Sequence, residues 1–235
     1  MARTGRLRDA MLPLADTAKQ KRPAIATTLL VAANCGVFAW QCWLWIEGGD
    51  KALAGFLTAH SLVANRLLAY PADAHQWLTL GTSMFLHGGI AHVLGNMWFL
   101  WIFGGHVEDR LGPLRYLLLY LIAGIAAAAV QIAVDPGTTV PMLGASGAIS
   151  GVLGAYLILF PTAWVWTLIP WFVPIVPVPA AVFLVLWFFV QAVSGLGALA
   201  SGVKGGVAWW AHAGGFVAGL AMIAWAKRQR WVRRG

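Results

Sequence analysis

The chain has 235 residues, of which 60% are hydrophobic and only 10% charged, with sixteen basic against eight acidic residues and a net charge of +8. Soluble domains carry about 25% charged residues, so the composition excludes an ordinary soluble globular protein and points to a membrane protein. Eleven of the cations lie in two tails, Arg3, Arg6, Arg8, Lys19, Lys21 and Arg22 before the first apolar run and Lys227, Arg228, Arg230, Arg233 and Arg234 after the last. Cations at the flanks of apolar segments set membrane orientation, and no basic face with interleaved exposed aromatics is present, so nucleic acid is excluded as a partner.

In chain order, the basic tail 1–23 is too long and mixed for a signal peptide, and no small-residue cleavage site closes the first apolar run. That run is expected to remain as a membrane helix. Crossing a bilayer takes about 20 mainly apolar residues, and six such runs occur, at about 24–46, 86–105, 114–134, 142–160, 178–196 and 206–226. Cys35 and Cys42, seven apart in the first, read as small packing residues. The connection 47–85 carries Tyr70, Trp77 and scattered polar residues and is predicted to be a partly embedded interfacial loop. Pro136-Gly137 separates the third run from the fourth and Pro161 closes the fourth, while Pro170, Pro174, Pro177 and Pro179 make 161–177 an expected interfacial loop.

An even number of spans puts both tails on one side, and with Arg110 and Arg115 between the second and third runs that side is predicted to be cytoplasmic. The expected fold is all-α: a tail over 1–23, a single six-helix transmembrane bundle over 24–227 and a second tail over 228–235. Small residues at three- and four-residue intervals, Gly147, Gly151 and Gly154 in the fourth run and Gly215 and Gly219 in the sixth, let helix backbones approach closely in lipid. Tight packing of these two spans would bring Ser146 and His212 together. Counting from Pro141 and Gly206, each is expected roughly 8–10 Å below its entry to the membrane.

A hydroxyl and an imidazole are each costly in hydrocarbon when alone. Together they form a nucleophile and its general base. No Asp or Glu occurs after Asp135, so the last three spans cannot supply the acid of a triad, and a Ser146–His212 dyad is the simplest arrangement. Acyl transfer also needs donors for the developing oxyanion. His92 and Asn96, four apart, share one helix face in the second run and could donate to one point, with the Ser146 backbone N–H as a third donor. A zinc protease is disfavoured, because His87 and His92 are five apart and no Glu follows His87. His60, His75 and His106 fall in expected loops or at a span end.

At these residues the chain closely resembles the rhomboid family of intramembrane serine proteases. The resemblance covers about 75–227 and rests on His87-x4-His92-x3-Asn96, Gly144-Ala145-Ser146-Gly147, Ala211-His212-x2-Gly215-x3-Gly219 and the segment Gly104 to Gly112. It implies Ser146 as nucleophile, His212 as general base, His92 and Asn96 as oxyanion donors, and a structural role for Glu108 and Arg110. Two departures stand out. Trp77 is followed by Leu78 where many members have Arg, and Ser150 stands where some have a Tyr against the catalytic imidazole, so something else must orient His212. The expected activity is hydrolysis of peptide bonds in or near transmembrane segments of membrane-protein substrates, which enter laterally from the lipid and reach a site capped by a mobile segment around Ser194–Gly206. The bacterial inner membrane is the expected location, and no cofactor or metal is implied. A catalytically silent relative that binds transmembrane clients is the alternative, although loss of the serine or histidine, its usual mark, is absent. A proton relay through His92 and His212 lacks an intramembrane carboxylate.

Overall fold

In the computed structural model, residues 12–169, 173–201 and 207–233 are described. They form helices α1 (Ile25–His60), α2 (Ala64–Ala69), α3 (Ala74–Thr82), α4 (Ile90–Leu111), α5 (Pro113–Val134), α6 (Ser146–Leu159), α7 (Ala180–Ser201) and α8 (Trp209–Arg228). Strands β1 (Leu12–Asp16), β2 (Trp164–Ile169) and β3 (Val173–Pro179) form one antiparallel sheet in the order β1-β2-β3. The six apolar runs correspond to α1, α4, α5, α6, α7 and α8. Of these, α1, α5 and α7 are each long and apolar enough to cross a membrane. Their outward side chains, such as Leu118, Ile122 and Ile125 on α5 and Val185, Phe189 and Val193 on α7, are exposed, as lipid-facing residues are.

The first helix runs past its expected end at 46, turning at Gly49 (φ 63°) and continuing to His60. The connection expected as a loop over 47–85 is therefore largely helical, with Asp73 capping α3 by accepting from the His75 N–H at 2.9 Å. At the other end of α1 no side chain of the helix itself caps the first turn. Glu108 of α4 does so instead: the N–H groups of Ala26 and Thr27 donate to its carboxylate at 2.9 and 2.8 Å, and the Thr27 hydroxyl donates at 2.8 Å. Arg22 pairs with Asp109 at 3.3 Å, while Arg110 and Arg115 donate to the carbonyls of Arg233 and Trp231. Both described ends of the chain thus meet at the α4–α5 junction, on one side of the bundle.

That side also carries the sheet, which corrects two expectations. Part of the 1–23 tail is strand β1, and 161–177, expected as a loop, contributes β2 and most of β3. Proline cannot donate to a ladder, but β3 is an edge strand, where it is tolerated, and the aromatic and β-branched Trp164–Ile169 suits the central strand. The fold is mostly helical, not purely so. Tyr156 near the end of α6 donates to Asp16 of β1 at 2.5 Å, and His106 of α4 lies 3.4 Å from the same carboxylate, so the strand is fastened to two helices.

Helices α6 and α8 cross with almost no side-chain separation. A Cβ at Gly215 would collide with the carbonyl of Gly147, one at Gly219 with that of Gly151, and one at Gly154 with that of Phe216. The small-residue spacing thus does what the sequence pattern implies. The fourth run, expected as a span over 142–160, is helical only from Ser146, because Leu62 pairs with Met142 and the Gly144 N–H donates to Ser83, holding the preceding residues extended. Fourteen residues span about 21 Å, short of the roughly 30 Å of hydrocarbon. Ser146 is consequently the first residue of its helix, not a turn inside it.

Candidate active site

Ser146 at the start of α6 and His212 in the first turn of α8 are brought together by the glycine contact, with His212 Nε2 2.9 Å from Ser146 Oγ. On the far side of the ring, His212 Nδ1 lies 2.7 Å from Oε1 of Gln191 on α7. Trp187 flanks the imidazole at 6.0 Å between ring centroids and Trp209 meets it edge-on at 6.3 Å. Ser150, at the position where the resemblance leads one to look for a Tyr, turns its hydroxyl back to the Ser146 carbonyl at 2.7 Å.

Gly144 shows where the second-run residues point. Its φ of 118° is one that side chains resist, and a Cβ there would stand 2.7 Å from His92 Nε2 and 3.5 Å from Asn96 Nδ2. Both polar nitrogens therefore converge on the loop two residues before Ser146. The Gly88 N–H faces His92 Nδ1 at 3.4 Å, which leaves Nε2 as the protonated nitrogen. Asn96 Nδ2 also donates to His87 Nε2 at 3.0 Å, one of its two hydrogens, and the other is free to face Gly144. His87 is itself clamped by Gln41 of α1, which bonds both its backbone N–H and its carbonyl. At the start of α6, helix geometry leaves the first N–H groups without intrahelical acceptors, a partial positive charge beside Ser146 Oγ.

These groups line one cavity of about 940 Å³ that holds His92, Asn96, Gly144, Ser146, Gln191 and His212. The cavity is roomy enough for water to reach the hydroxyl. Among the described residues no cluster of three potential metal ligands occurs. The residues Ser194–Ser201, expected in a mobile cap, form the last turns of α7, and 202–206 lie outside the described residues.

Three residues without a role assigned from the sequence, Gln41, His87 and Gln191, take part in the site. For Gln191 and Gln41 the signal was available, since a buried amide in an apolar run carries the same cost that singled out Ser146 and His212. His87 lies in the motif, where its spacing from His92 bears only on metal ligation.

A rhomboid-domain family model matches residues 74–229, two-thirds of the chain. The chain belongs to the rhomboid family. With its long apolar helices, it is an integral membrane protein. Among similar proteins, it is 45% identical to Rhomboid protease GluP of Bacillus subtilis (strain 168) over 114 residues, 48% of this chain and 21% of that protein. It is 33% identical to the Putative rhomboid protease YdcA of the same organism, over 52% of this chain and 60% of that one. It is 26% identical to the mitochondrial Presenilin-associated rhomboid-like protein of Bos taurus, over 88% of this chain and 50% of the relative. The chain thus spans about a fifth to three-fifths of the length of these rhomboid relatives.

Proposed function

We propose that this rhomboid is an intramembrane serine endopeptidase that cleaves peptide bonds in or near the transmembrane segments of membrane proteins. The observation that carries the reading is the 2.9 Å approach of His212 Nε2 to Ser146 Oγ inside a cavity among apolar helices. His212 takes the Ser146 proton as Oγ attacks the scissile carbonyl carbon. Negative charge gathers on the carbonyl oxygen, and Asn96, His92 and the N–H groups at the start of α6 are placed to donate to it. The imidazolium then returns its proton to the leaving amine, giving an acyl-enzyme at Ser146. Water, deprotonated by the same imidazole, attacks the ester and frees the serine.

In this reading the chain crosses a bacterial inner membrane six times with both termini in the cytoplasm; the even number of apolar helices and the basic residues gathered with the described chain ends support that orientation. Substrate helices enter laterally from lipid and unwind locally, which costs least where they carry helix-breaking residues. Purified protein in detergent, incubated with a labelled single-span substrate, tests the reading. Wild type cleaves it, whereas Ser146→Ala and His212→Ala do not. Cleavage that survives Ser146→Ala would remove Ser146 from the role of nucleophile.

A further inference from the structure

The cavity holds an amide whose place the dyad leaves unexplained. Gln191 is 7% exposed, sits in the middle of α7, and sets Oε1 2.7 Å from His212 Nδ1. No carboxylate is in this position, and the Ser150 hydroxyl is spent on the Ser146 carbonyl. The other titratable groups lining the cavity, among the described residues, are His92 on α4 and Asp135 after α5. Neither hydrogen-bonds to His212. From α5, Gln131 contributes an amide oxygen that accepts from the Ala211 N–H at 3.2 Å and so holds the backbone of α8 rather than the imidazole.

Building on the serine-protease reading, we propose that Gln191 is the positioning residue of His212, a neutral counterpart of the acid in a triad, which selects the tautomer that can act as a base. An amide oxygen can only accept, so Oε1 facing Nδ1 requires the proton to be on Nδ1. Nε2 then carries the lone pair, and that lone pair faces Ser146 Oγ. The opposite tautomer would aim an N–H at Oγ and a lone pair at the amide oxygen, losing one hydrogen bond and leaving the serine without a base. Orientation follows from the same bond: with Nδ1 held from α7 and Trp187 beside the ring, rotation of the imidazole away from Oγ breaks a contact inside a low-dielectric cavity. Being neutral, Gln191 fixes geometry without placing a charge in the membrane. In serine proteases whose acid is replaced so that the wrong tautomer results, kcat falls by about 10⁴. Removal of an orienting group that leaves both tautomers accessible costs less.

Three measurements test this. In wild type and Gln191→Leu, ¹⁵N NMR of histidine-labelled protein, with His212 assigned from His212→Asn, reads the tautomer directly and needs no turnover. The Nδ1–H form is expected in wild type and a mixture in the variant. A wild-type ring protonated on Nε2 would overturn the proposal. Kinetically, Gln191→Leu lowers kcat by about 10-fold or more with KM within about twofold, while Gln191→Glu, which keeps the acceptor, restores most of kcat at alkaline pH. The third reading is the pH profile. A carboxylate beside the imidazole favours its protonated form, so the acid limb of kcat/KM moves to higher pH in Gln191→Glu. Unchanged kcat in Gln191→Leu, or a loss that follows thermal stability alone and is not restored by Glu, would overturn the assignment. Failure of the serine-protease reading is separate: there wild type itself would be inactive, or Ser146→Ala active, whatever the NMR shows for His212.

Discussion

At the scale of single residues, the site depends on positions that carry no reactive group. Gly144 combines a backbone angle unfavourable to other residues with a vacancy occupied by His92 Nε2 and Asn96 Nδ2. Gly144→Ala is therefore expected to reduce cleavage to background while Ser83 and Met142 contacts keep the protein folded, measured by activity beside thermal denaturation in detergent. Asn96→Ala should lower kcat by about 10-fold or more with little change in KM, because its donor matters most when the oxyanion forms. A change confined to KM would make Asn96 a substrate contact. The four residues singled out from sequence, Ser146, His212, His92 and Asn96, were legible because polar groups in apolar runs are expensive and so are placed for a reason. Gln191 obeyed the same logic but lies in a run with no second polar motif near it, and only the third dimension shows that it faces His212. The start of the helix at Ser146 is not legible, because hydropathy sees the apolar residues 142–145 and cannot see that Met142 pairs with Leu62 and that the chain bends at Gly144.

At the scale of elements, the α6–α8 contact is what joins two residues sixty-six positions apart. Replacing Gly219 by Ala sets a methyl against the Gly151 carbonyl, and overpacking of this kind costs about 1–3 kcal/mol. The expected result is a lower unfolding temperature together with reduced activity, since forcing the helices apart about two turns below the dyad tilts Ser146 away from His212. The α1–α4 contact works differently, through Glu108. Truncation in Glu108→Ala strands two buried N–H groups at the start of α1, at about 1–3 kcal/mol each at most. That variant should melt earlier yet keep kcat in the fraction that remains folded, because the cap lies at the end of the bundle away from Ser146. Helix existence was readable from apolar run length, and the third run matched α5 to within a residue. The strands were not readable, because β1 is short and lies in a charged tail, and β3 carries prolines that argue for a loop until its edge position is known.

At the scale of the whole molecule, one end of the bundle gathers the sheet, the α4–α5 junction and both described chain ends, while the dyad lies toward the other. Asp16 ties this base together. Burial holds its carboxyl above the ordinary carboxylate range, against the opposing pull of the Tyr156 hydroxyl and His106. The native state then binds the proton more tightly than the unfolded chain. The stability this group contributes is complete below its unfolded value of about 3.8 and is lost as pH rises through the folded value. Asp16→Asn, which keeps an acceptor for Tyr156 without a charge, is expected to flatten that decline in a melting series from pH 4 to pH 7. The gathering of arginines and lysines at one end of the bundle was legible from the sequence, but not the way the N-terminal strand closes the base, since β1 and β2 pair residues about 150 positions apart and leave no local pattern. The proposed chemistry rests on the Ser146–His212 juxtaposition at the other end, and reaction of the detergent-solubilised protein with a fluorophosphonate probe, mapped by mass spectrometry, is its sharpest test. A single adduct on Ser146 is expected in wild type, none in Ser146→Ala, and labelling slowed by about 100-fold or more in His212→Ala. An adduct on another residue, or equal labelling of Ser146 with and without His212, would contradict it.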